Sequence, residues 1–381
     1  MNRRAAIIAV ALIGVLLCVR EAALAELPID QMKTLELGAP APNWVYVLDA
    51  QYPAAMISKV HIIDGDSRKL LGQINGGYLS NFALARNHRE IYMIDTYYSR
   101  GWRGTRTDVV SIFDAKTLTV IGEIEIPPKR ILIVPKPDTT ALTPDGRFLF
   151  VANMTPATSV SVVDLKARKF AGEIDIPGCA QVLAAGNRRF ASICGDGSML
   201  TVDIDDSGKL RNRKQGKPFF DPNQDPVFDQ PVMIGARAYF VSYHGMVHAV
   251  DLAGEQPVAE PQWPILSSED QNQSWRPGGW QVIAADQKSG RLYIMMHQGG
   301  EWTHKQFGKE VWVFDAATKK RIRRIQLKTE AYSILASQGD KPMLFGLSLV
   351  QSQLETYSAA DGKYLGVYQG LGTPFVLYGS Q

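Results

Sequence analysis

One phrase, a β-type stretch that ends in aspartate and leads into a short polar turn, recurs along the chain. It reads "VHIIDGDSRKLLGQI" around Asp64, "VSIFDAKTLTVIGEIEIP" around Asp114 and "VSVVDLKARKFAGEIDIP" around Asp164. Less regular copies follow at Asp203, Asp251, Asp315 and Ser358. Apolar and polar residues alternate before the aspartate, which is typical of a strand with one buried face. The aspartate is expected to accept hydrogen bonds from the backbone amides of the turn.

The spacing of these copies, 49 residues on average, constrains the fold more than any other feature. Further strand-like stretches such as "TPDGRFLFVANM" and "SGRLYIMMH" lie between the copies, so each unit contains about four strands. Four-stranded units repeated radially are the blades of a β-propeller. The sequence therefore predicts an all-β fold, a seven-bladed β-propeller of four-stranded blades, in a single domain over residues 26–381.

Two details of this prediction stay open. The step from Asp251 to Asp315 is 64 residues long and contains an insertion, so six or eight blades are alternatives to seven. The segment "NWVYVLDA" precedes the first copy and is expected to supply a strand that helps to close the ring. A two-sheet sandwich is disfavoured, because sandwiches do not repeat at this length.

The N-terminus has the three parts of a secretory signal. It opens with the basic "MNRR", continues with an apolar run from Ala5 to Val19, and ends in the small-residue pattern "ALA" before Glu26. The apolar run is shorter than the roughly 20 residues that a membrane-spanning helix needs. We therefore predict a signal peptide over residues 1–25, export of the mature chain, and no membrane anchor.

The charge balance gives no reason to expect nucleic acid or an anionic membrane as a partner. The chain has 41 lysines and arginines against 38 aspartates and glutamates. The predicted leader contains three arginines and one glutamate, so the formal net charge falls from +3 to about +1. One local basic cluster, "SRGWRGTR" from Ser99 to Arg106, is either a solvated loop or a docking surface.

Two cysteines remain after the leader, and an exported chain favours a disulfide between them. If Gly186 and Asn187 form a two-residue hairpin turn, Cys179 and Cys194 face each other across neighbouring strands. Such a bond is expected to contribute roughly 3 kcal/mol to stability. Two buried free thiols are the alternative.

The sequence contains no motif for a resident cofactor or for self-contained catalysis. It has no C-x-x-C-H for haem, no H-E-x-x-H for zinc, no G-x-S-x-G nucleophile, and no G-x-G-x-x-G that opens a helix. The six histidines are scattered. His244 and His248 are four residues apart, a spacing that a helix brings together and a strand does not. We therefore predict no metal site and no catalytic residue in this chain.

Three stretches carry more aromatic and basic residues than a scaffold needs. "INGGYLSN" places Tyr78 directly after two glycines, "QSWRPGGWQ" contains Trp275, Arg276 and Trp280, and "GGEWTHK" adds Trp302. Tryptophan and arginine are enriched at the centres of protein interfaces. These residues are therefore candidates for binding, and packing of the loops against blade ends is the alternative.

At these residues the chain resembles the heavy-chain family of bacterial methylamine dehydrogenase and the related aromatic amine dehydrogenase. The resemblance covers nearly all of the mature chain, and the two cysteines fit it. It is carried by "INGGYL", "RGTRTDVVSIFDAKTL", "IEIPPKR", "SWRPGGWQ", "EWTHK" and "DKPMLFGLS". It implies a seven-bladed propeller in the periplasm that forms an α2β2 heterotetramer with a small (light) subunit.

The resemblance further implies that the redox chemistry belongs to the small subunit. That subunit would carry tryptophan tryptophylquinone, made from two of its own tryptophans, which takes a primary amine to an aldehyde and ammonia. Electrons would then pass to a blue copper protein such as amicyanin or azurin. Methylamine is the first candidate substrate, and no cofactor is expected in this chain, in agreement with the missing motifs.

The resemblance also suggests roles for the candidate residues. The family has a phenylalanine at the mouth of the substrate channel in a G-G-F-L setting, where this chain has Tyr78 in "GGYL". Tyr78 is therefore expected to line and gate the substrate channel, and not to act as a general base. Trp275, Arg276, Trp280 and Trp302 are expected at the subunit interface.

Two other functions are compatible with a propeller, because this fold alone does not specify a function. One is a non-enzymatic periplasmic scaffold that binds a ligand or partner. The other is a self-contained hydrolase or lactonase, which needs a metal ion or an acid–base cluster in the central channel.

Overall fold

The computed structural model describes residues 36–133 and 135–380, and its secondary structure is almost entirely β. The strands form seven antiparallel sheets arranged as a seven-bladed β-propeller, which confirms the predicted fold class. The predicted signal peptide, residues 1–25, lies outside the described residues. Within the described part, no helix is long and apolar enough to cross a membrane.

The first four blades use the N-terminal half of the chain and its last strand. Blade 1 contains β1 (Trp44–Asp49), β2 (Lys59–Asp64), β3 (Lys69–Asn75) and β30 (Pro374–Gly379). Blade 2 contains β4 (Asn81–Leu84), β5 (Glu90–Arg100), β6 (Arg103–Asp114) and β7 (Val120–Ile126). Blade 3 contains β8 (Thr140–Leu142), β9 (Phe148–Asn153), β10 (Ser159–Asp164) and β11 (Lys169–Asp175). Blade 4 contains β12 (Cys179–Gly186), β13 (Arg189–Cys194), β14 (Met199–Ile204) and β15 (Leu210–Gln215).

The remaining three blades include two sheets with an extra short strand. Blade 5 contains β16 (Val232–Ile234), β17 (Arg237–Val241), β18 (Met246–Asp251), β19 (Val258–Ala259) and β20 (Trp263–Pro264). Blade 6 contains β21 (Trp275–Pro277), β22 (Ile283–Asp286), β23 (Arg291–Gln298), β24 (Gly308–Asp315) and β25 (Lys320–Ala331). Blade 7 contains β26 (Ser333–Ala336), β27 (Met343–Ser348), β28 (Gln353–Ser358) and β29 (Tyr364–Gln369). The long insertion before Asp315 therefore adds a short helix, Ser268–Asn272, and not an eighth blade.

The recurring aspartates end the third strand of each blade, counted from the ring axis. Asp64, Asp114 and Asp164 are the last residues of β2, β6 and β10. The Asp114 carboxylate accepts hydrogen bonds from the backbone amides of Lys116 and Thr117 at 2.9 and 2.8 Å. The other two aspartates bind their turns in the same way, so the predicted turn is confirmed.

The ring closes by pairing the two ends of the described chain. Strand β1 pairs antiparallel with β30, with Val45 opposite Gly379 and Leu48 opposite Val376. The expectation that "NWVYVLDA" helps to close the ring is therefore confirmed. Closure removes the exposed sheet edge that an open arrangement would leave next to the axis.

The core lies between neighbouring blades, so the middle strands are buried on both faces. Phe150 of blade 3 and Phe190 of blade 4 approach to 4.9 Å between ring centroids. Ser159 and Ser161, the polar partners in the alternating stretch of β10, are also buried, and both accept hydrogen bonds from Asn153. The expectation of a single buried face is wrong for this strand, because the next blade covers the other side.

The predicted disulfide is present between Cys179 of β12 and Cys194 of β13, which lie directly opposite each other. The predicted turn is wrong by one residue, because Asn187–Arg188 connects the strands and not Gly186–Asn187. Two register shifts within the hairpin, one of them beside Gln181 at φ +63°, compensate for the displaced turn. The cysteines therefore meet despite the different turn.

The connections divide between two faces of the ring. Because the strands of a blade are antiparallel, the turns after the first and third strands emerge on one side, the lower face. The loops after the second and fourth strands emerge on the opposite side, the upper face. Lower-face turns are short, whereas the upper face includes the long connections 216–231 and 265–274.

Candidate functional site

All five aromatic and basic residues singled out in the sequence lie on the upper-face side of the ring. Tyr78 lies in the loop between β3 and β4. Trp275 and Arg276 belong to β21, Trp280 follows that strand, and Trp302 lies in the loop between β23 and β24. The repeat therefore brings stretches that are far apart in sequence to one side of the molecule.

Tyr78 is half-buried in an aromatic cluster. It packs with Tyr52, Leu132 and Phe375 around the buried side chain of Leu79. The ring of Tyr98 meets Tyr78 edge-on at a centroid distance of 6.1 Å. This places Tyr78 on an apolar wall, where an aromatic side chain can bind alkyl groups and exclude water.

Phe375 connects the Tyr78 cluster to Trp280. Its ring lies 5.1 Å from Tyr52, 5.8 Å from Tyr332 and 6.3 Å from Trp280. Trp280 in turn stacks on Tyr332 at 6.0 Å, with only 17° between their planes. A continuous aromatic surface therefore runs from Tyr78 in blades 1 and 2 to Trp280 in blade 6.

A cleft of about 390 Å³ lies beside Trp280 on the same face. Lys136 and Asp229 form an ion pair in it, and the Lys136 ammonium lies 5.3 Å from the centre of the Trp280 ring. Tyr243 and His304 stack on the other side at 4.1 Å. The cleft therefore combines flat aromatic surfaces with one ion pair and a second lysine, Lys305.

Burial controls the charge of the two stacked rings. It lowers the pKa of His304, with Lys305 contributing, and it raises the pKa of Tyr243, with Asp229 contributing. Both side chains are therefore uncharged at neutral pH. Trp280 is fixed by a hydrogen bond from its indole N–H to the Pro135 carbonyl at 3.0 Å.

A second cavity, of about 570 Å³, is lined by residues from all seven blades along the ring axis. Asp138 borders it, and its Oδ2 has no hydrogen-bond partner among the described residues. Burial, with the nearby charge of Asp229, raises the pKa of Asp138 well above its usual range. The channel therefore exposes both polar and apolar groups, and its Asp138 carboxyl group resists ionisation.

Trp275 is the most buried of the candidate residues, with 6% of its surface exposed. Its ring packs 5.4 Å from Trp312, and the Arg324 guanidinium lies 4.6 Å above it. Arg276 is half-buried and donates from Nε to the carbonyl of Gly299 at 3.0 Å. In the isolated chain, Trp275 therefore stabilises blade 6 and offers little surface to a partner.

Trp302 is different, because 57% of its surface is exposed. It has a left-handed backbone with φ +62°, and its only aromatic neighbour among the described residues is Tyr243 at 6.4 Å. The exposed indole projects from a loop of the upper face. Among the five candidates, Trp302 is the side chain most available to a second protein.

The described residues contain no group of three or more histidine, cysteine, aspartate or glutamate side chains that could hold a metal ion. His244 pairs with Asp225 at 3.5 Å, while His248 is buried beside Phe219 and Phe220. The two histidines belong to different environments. The upper face therefore presents an aromatic wall and a cleft.

Sequence reasoning missed several residues of this site. Tyr52 and Phe375 are neighbours in space, yet they lie near opposite ends of the chain and neither belongs to a recognisable motif. Lys136 and Asp229 also come from different blades. Only the closed ring brings these pairs together, so the one available signal was the propeller prediction itself.

The strands define a seven-bladed β-propeller, and its upper face carries the aromatic surface and the cleft. A family model described as methylamine dehydrogenase heavy chain (MADH) matches residues 42–378. The chain belongs to the methylamine dehydrogenase heavy-chain family, which confirms the resemblance noted in the sequence.

Individual relatives agree with this assignment. The methylamine dehydrogenase heavy chain of Methylorubrum extorquens is 33% identical over 331 residues, 86% of this chain and 80% of the relative. That of Paracoccus versutus is 34% identical over 347 residues, 90% of this chain and 80% of the relative. A solved structure of a functionally unknown protein from Desulfotomaculum acetoxidans superposes with a TM-score of 0.60 at 12% identity, covering 88% and 98% of the two chains. That last likeness supports the fold alone.

Proposed function

We propose that this chain is the large, cofactor-free subunit of an amine dehydrogenase that oxidises a primary amine, methylamine first, to an aldehyde and ammonia. Family membership over residues 42–378 is the observation that carries the proposal. The chain holds a small subunit on its upper face in an α2β2 heterotetramer. Electrons leave the assembly to a blue copper protein such as amicyanin or azurin.

The exposed side chains of the upper face support its role as the surface for the small subunit. Large apolar groups in its loops are solvent-exposed in the isolated chain: Met56, Ile57, Trp102, Ile133, Met154, Trp302 and Val350. Aromatic and methionine side chains are enriched where proteins bind one another. Trp302 and the Trp280 cleft are the parts of this face that we assign to the interface, with Arg276 beside them.

The cofactor assigned to the small subunit is tryptophan tryptophylquinone, which supplies the two-electron oxidation of the amine when that subunit is bound. The residues of this chain fit a supporting role. Tyr78, Tyr52 and Phe375 form an aromatic wall around Leu79. The wall binds the alkyl part of the substrate and keeps water from the reacting group.

Tyr78 is the residue of this wall that we assign to the substrate channel. Its loop begins with two glycines and leaves its ring half-buried between Tyr52 and Tyr98. An aromatic ring at a channel mouth limits the width of the amine side chain that can pass. The proposed role is therefore selection of the substrate by size.

Export to the periplasm completes the proposal. The basic and apolar segments of residues 1–25 direct secretion, and the disulfide between Cys179 and Cys194 fits an oxidising compartment. A blue copper acceptor would reach the assembly in the same compartment.

Native purification from the source cells tests the proposal. We expect a small disulfide-rich chain to copurify, with a visible absorption band that methylamine bleaches. A matched sample treated with a tertiary amine should keep its colour, because only a primary amine can form the required adduct. A colourless single chain would contradict the proposal and favour a binding scaffold without redox chemistry.

A further inference from the structure

Arg130 is a buried arginine that the proposed chemistry does not use. It follows β7 in the loop that leads to blade 3, and only 2% of its surface is exposed. Among the described residues, its guanidinium forms no ion pair, because the nearby Asp108 carboxylate is taken by Arg106. Burial lowers the pKa of Arg130 to about 10, so the group stays charged at neutral pH. A buried charge without an ionic partner needs strong hydrogen bonds elsewhere.

Two hydrogen bonds of the Arg130 guanidinium reach one segment, Gly76–Ser80, which we call the Tyr78 loop, and two others reach Thr96 and Asn81 beside it. Its Nη2 donates to the carbonyl oxygens of Tyr78 at 2.6 Å and Leu79 at 3.0 Å. Its Nε donates to Oγ1 of Thr96 at 2.7 Å. The planar guanidinium therefore holds two successive carbonyl groups of the loop and one strand of blade 2 at the same time.

Asp95 holds the same loop from the other side. Its side chain is fully buried, and Oδ1 accepts hydrogen bonds from the Gly77 amide at 2.9 Å and the Ser80 hydroxyl at 2.5 Å. Its Oδ2 accepts from the Ser111 hydroxyl at 2.6 Å. The carboxylate thus satisfies donors of the loop, while Arg130 satisfies its acceptors.

The backbone of the loop shows why it needs to be held. Leu79 has a left-handed conformation with φ +46°, which is unfavourable for a branched side chain. A Cβ on Gly77 would lie 2.6 Å from the Thr96 carbonyl oxygen, so the loop lies directly against β5. The Tyr78 amide also donates to that carbonyl at 2.9 Å. This conformation depends on surrounding bonds and not on local preference.

We propose that Arg130 and Asp95 clamp the Tyr78 loop and thereby set the width of the amine channel, which makes both of them positioning residues for substrate selection. This inference rests on the proposed function, in which Tyr78 lines the channel. Stability alone gives a weak reason for two buried charges, because apolar residues of similar volume are often as stabilising. The need to hold the Tyr78 loop in one position does give a reason to keep both buried charges.

The substitution Arg130→Lys tests the clamp, because it keeps the charge and loses the planar fork. In the complete heterotetramer, we expect kcat/KM for methylamine relative to benzylamine to fall about tenfold, through KM, as expected when a channel wall shifts by a fraction of an ångström. The kcat for methylamine should stay within about twofold, because no reacting atom touches Arg130. Asp95→Asn should move the ratio in the same direction.

Arg189→Lys is the matched control. Arg189 also binds two carbonyl oxygens of the next blade, those of Leu252 and Gly254, but it lies on the lower face. We expect this variant to keep the wild-type amine ratio. If both Arg130→Lys and Arg189→Lys lowered kcat/KM equally for the two amines, Arg130 would have only a structural role. That result would overturn the inference.

Amide hydrogen exchange in the free chain separates this inference from the proposed function. We expect Arg130→Lys to speed exchange at the Tyr78 amide at least about tenfold, because the loop opens more often. Unchanged exchange overturns the clamp even if the wild-type enzyme oxidises amines. If the wild-type heterotetramer oxidises no amine, the proposed function and the role in selection both fail, and faster exchange then supports only the clamp itself.

Discussion

The two faces of this propeller are built from the same repeat but differ in the side chains that they expose. On the lower face, short turns bring charges of neighbouring blades together: Arg188 of blade 4 bridges Asp145 of blade 3 at 2.7 Å and Asp206 at 2.9 Å. On the upper face, the hairpin tip between β5 and β6 exposes Trp102, and the loop between β23 and β24 exposes Trp302. Among the described residues, no large exposed apolar side chain lies in a lower-face turn. The lower face therefore satisfies its own polar groups, whereas the upper face leaves apolar groups exposed, as is typical of surfaces that bind other proteins.

The largest effect is expected from the disulfide, which ties the upper ends of β12 and β13. Replacing both residues, Cys179→Ser with Cys194→Ser, should lower the free energy of unfolding by about 3 kcal/mol, because the unfolded chain loses a closed loop. Denaturant unfolding of the oxidised proteins measures this difference. Reductant should destabilise the wild type and leave the double variant unchanged; an equal response of both would contradict the prediction.

The exposed indole of Trp302 should matter for binding and not for folding. We expect Trp302→Ala to weaken association with the small subunit by about 2 kcal/mol, or roughly thirtyfold in Kd. Val120→Ala is the control, because Val120 is similarly exposed but begins the outer strand β7. Calorimetric titration of each variant with the small subunit measures the two affinities. If both variants lost affinity equally, the upper face would not differ from other exposed apolar sites.

Acid should destabilise the chain through His297, a buried histidine on the upper-face side of blade 6. Burial, with the charges of Arg276 and Lys309, lowers the pKa of His297 to about 4 from an ordinary 6.5. The unfolded chain therefore binds more protons between these values, so stability is complete above pH 6.5 and is lost as the pH falls towards 4. The loss from this group is on the order of 2 kcal/mol.

His297→Gln should weaken the dependence of the unfolding free energy on pH between 6.5 and 4. His297→Asn should weaken it in the same way, because neither amide side chain titrates between pH 7 and pH 4. Denaturant midpoints measured from pH 7 to pH 4 give the comparison. An unchanged slope in His297→Gln would show that other groups dominate acid unfolding.

The smallest effect is expected from the lower-face ion pairs. Arg188→Ala should cost less than about 1 kcal/mol of folding stability, because solvent screens half-exposed pairs. The cost should shrink further in 0.5 M salt, at which the Debye length is roughly 4 Å. Binding of the small subunit should not change. A loss of binding in this variant would make the lower face part of the interface.

The sequence determined the blades better than the site. The Asp turns at Asp64, Asp114 and Asp164 are local, so their spacing revealed the repeat and the strand that ends at each aspartate. The cysteine pair was also predictable, although bulges shifted the turn between them. Tyr52 and Phe375 could not be found in this way, because ring closure alone makes them neighbours.

The solvent exposure of each candidate residue could not be predicted from its residue type. Trp275 and Trp302 look alike in the sequence, each in a glycine-rich stretch with basic neighbours. In the structure, Trp275 packs against Trp312 and Trp302 is solvent-exposed. The clamp on the Tyr78 loop could not be predicted either, since Arg130 lies about fifty residues from that loop, in the next connection between blades.

Amide hydrogen exchange of the chain, alone and bound to its small subunit, tests whether the upper face is the binding surface. If it is, exchange should slow in the Tyr78 loop, at the hairpin tip 99–105 and in the loop 299–307. Exchange in the lower-face turns 65–68, 115–119 and 165–168 should not change. Protection of those turns, with the upper-face loops unchanged, would contradict this assignment of the binding surface.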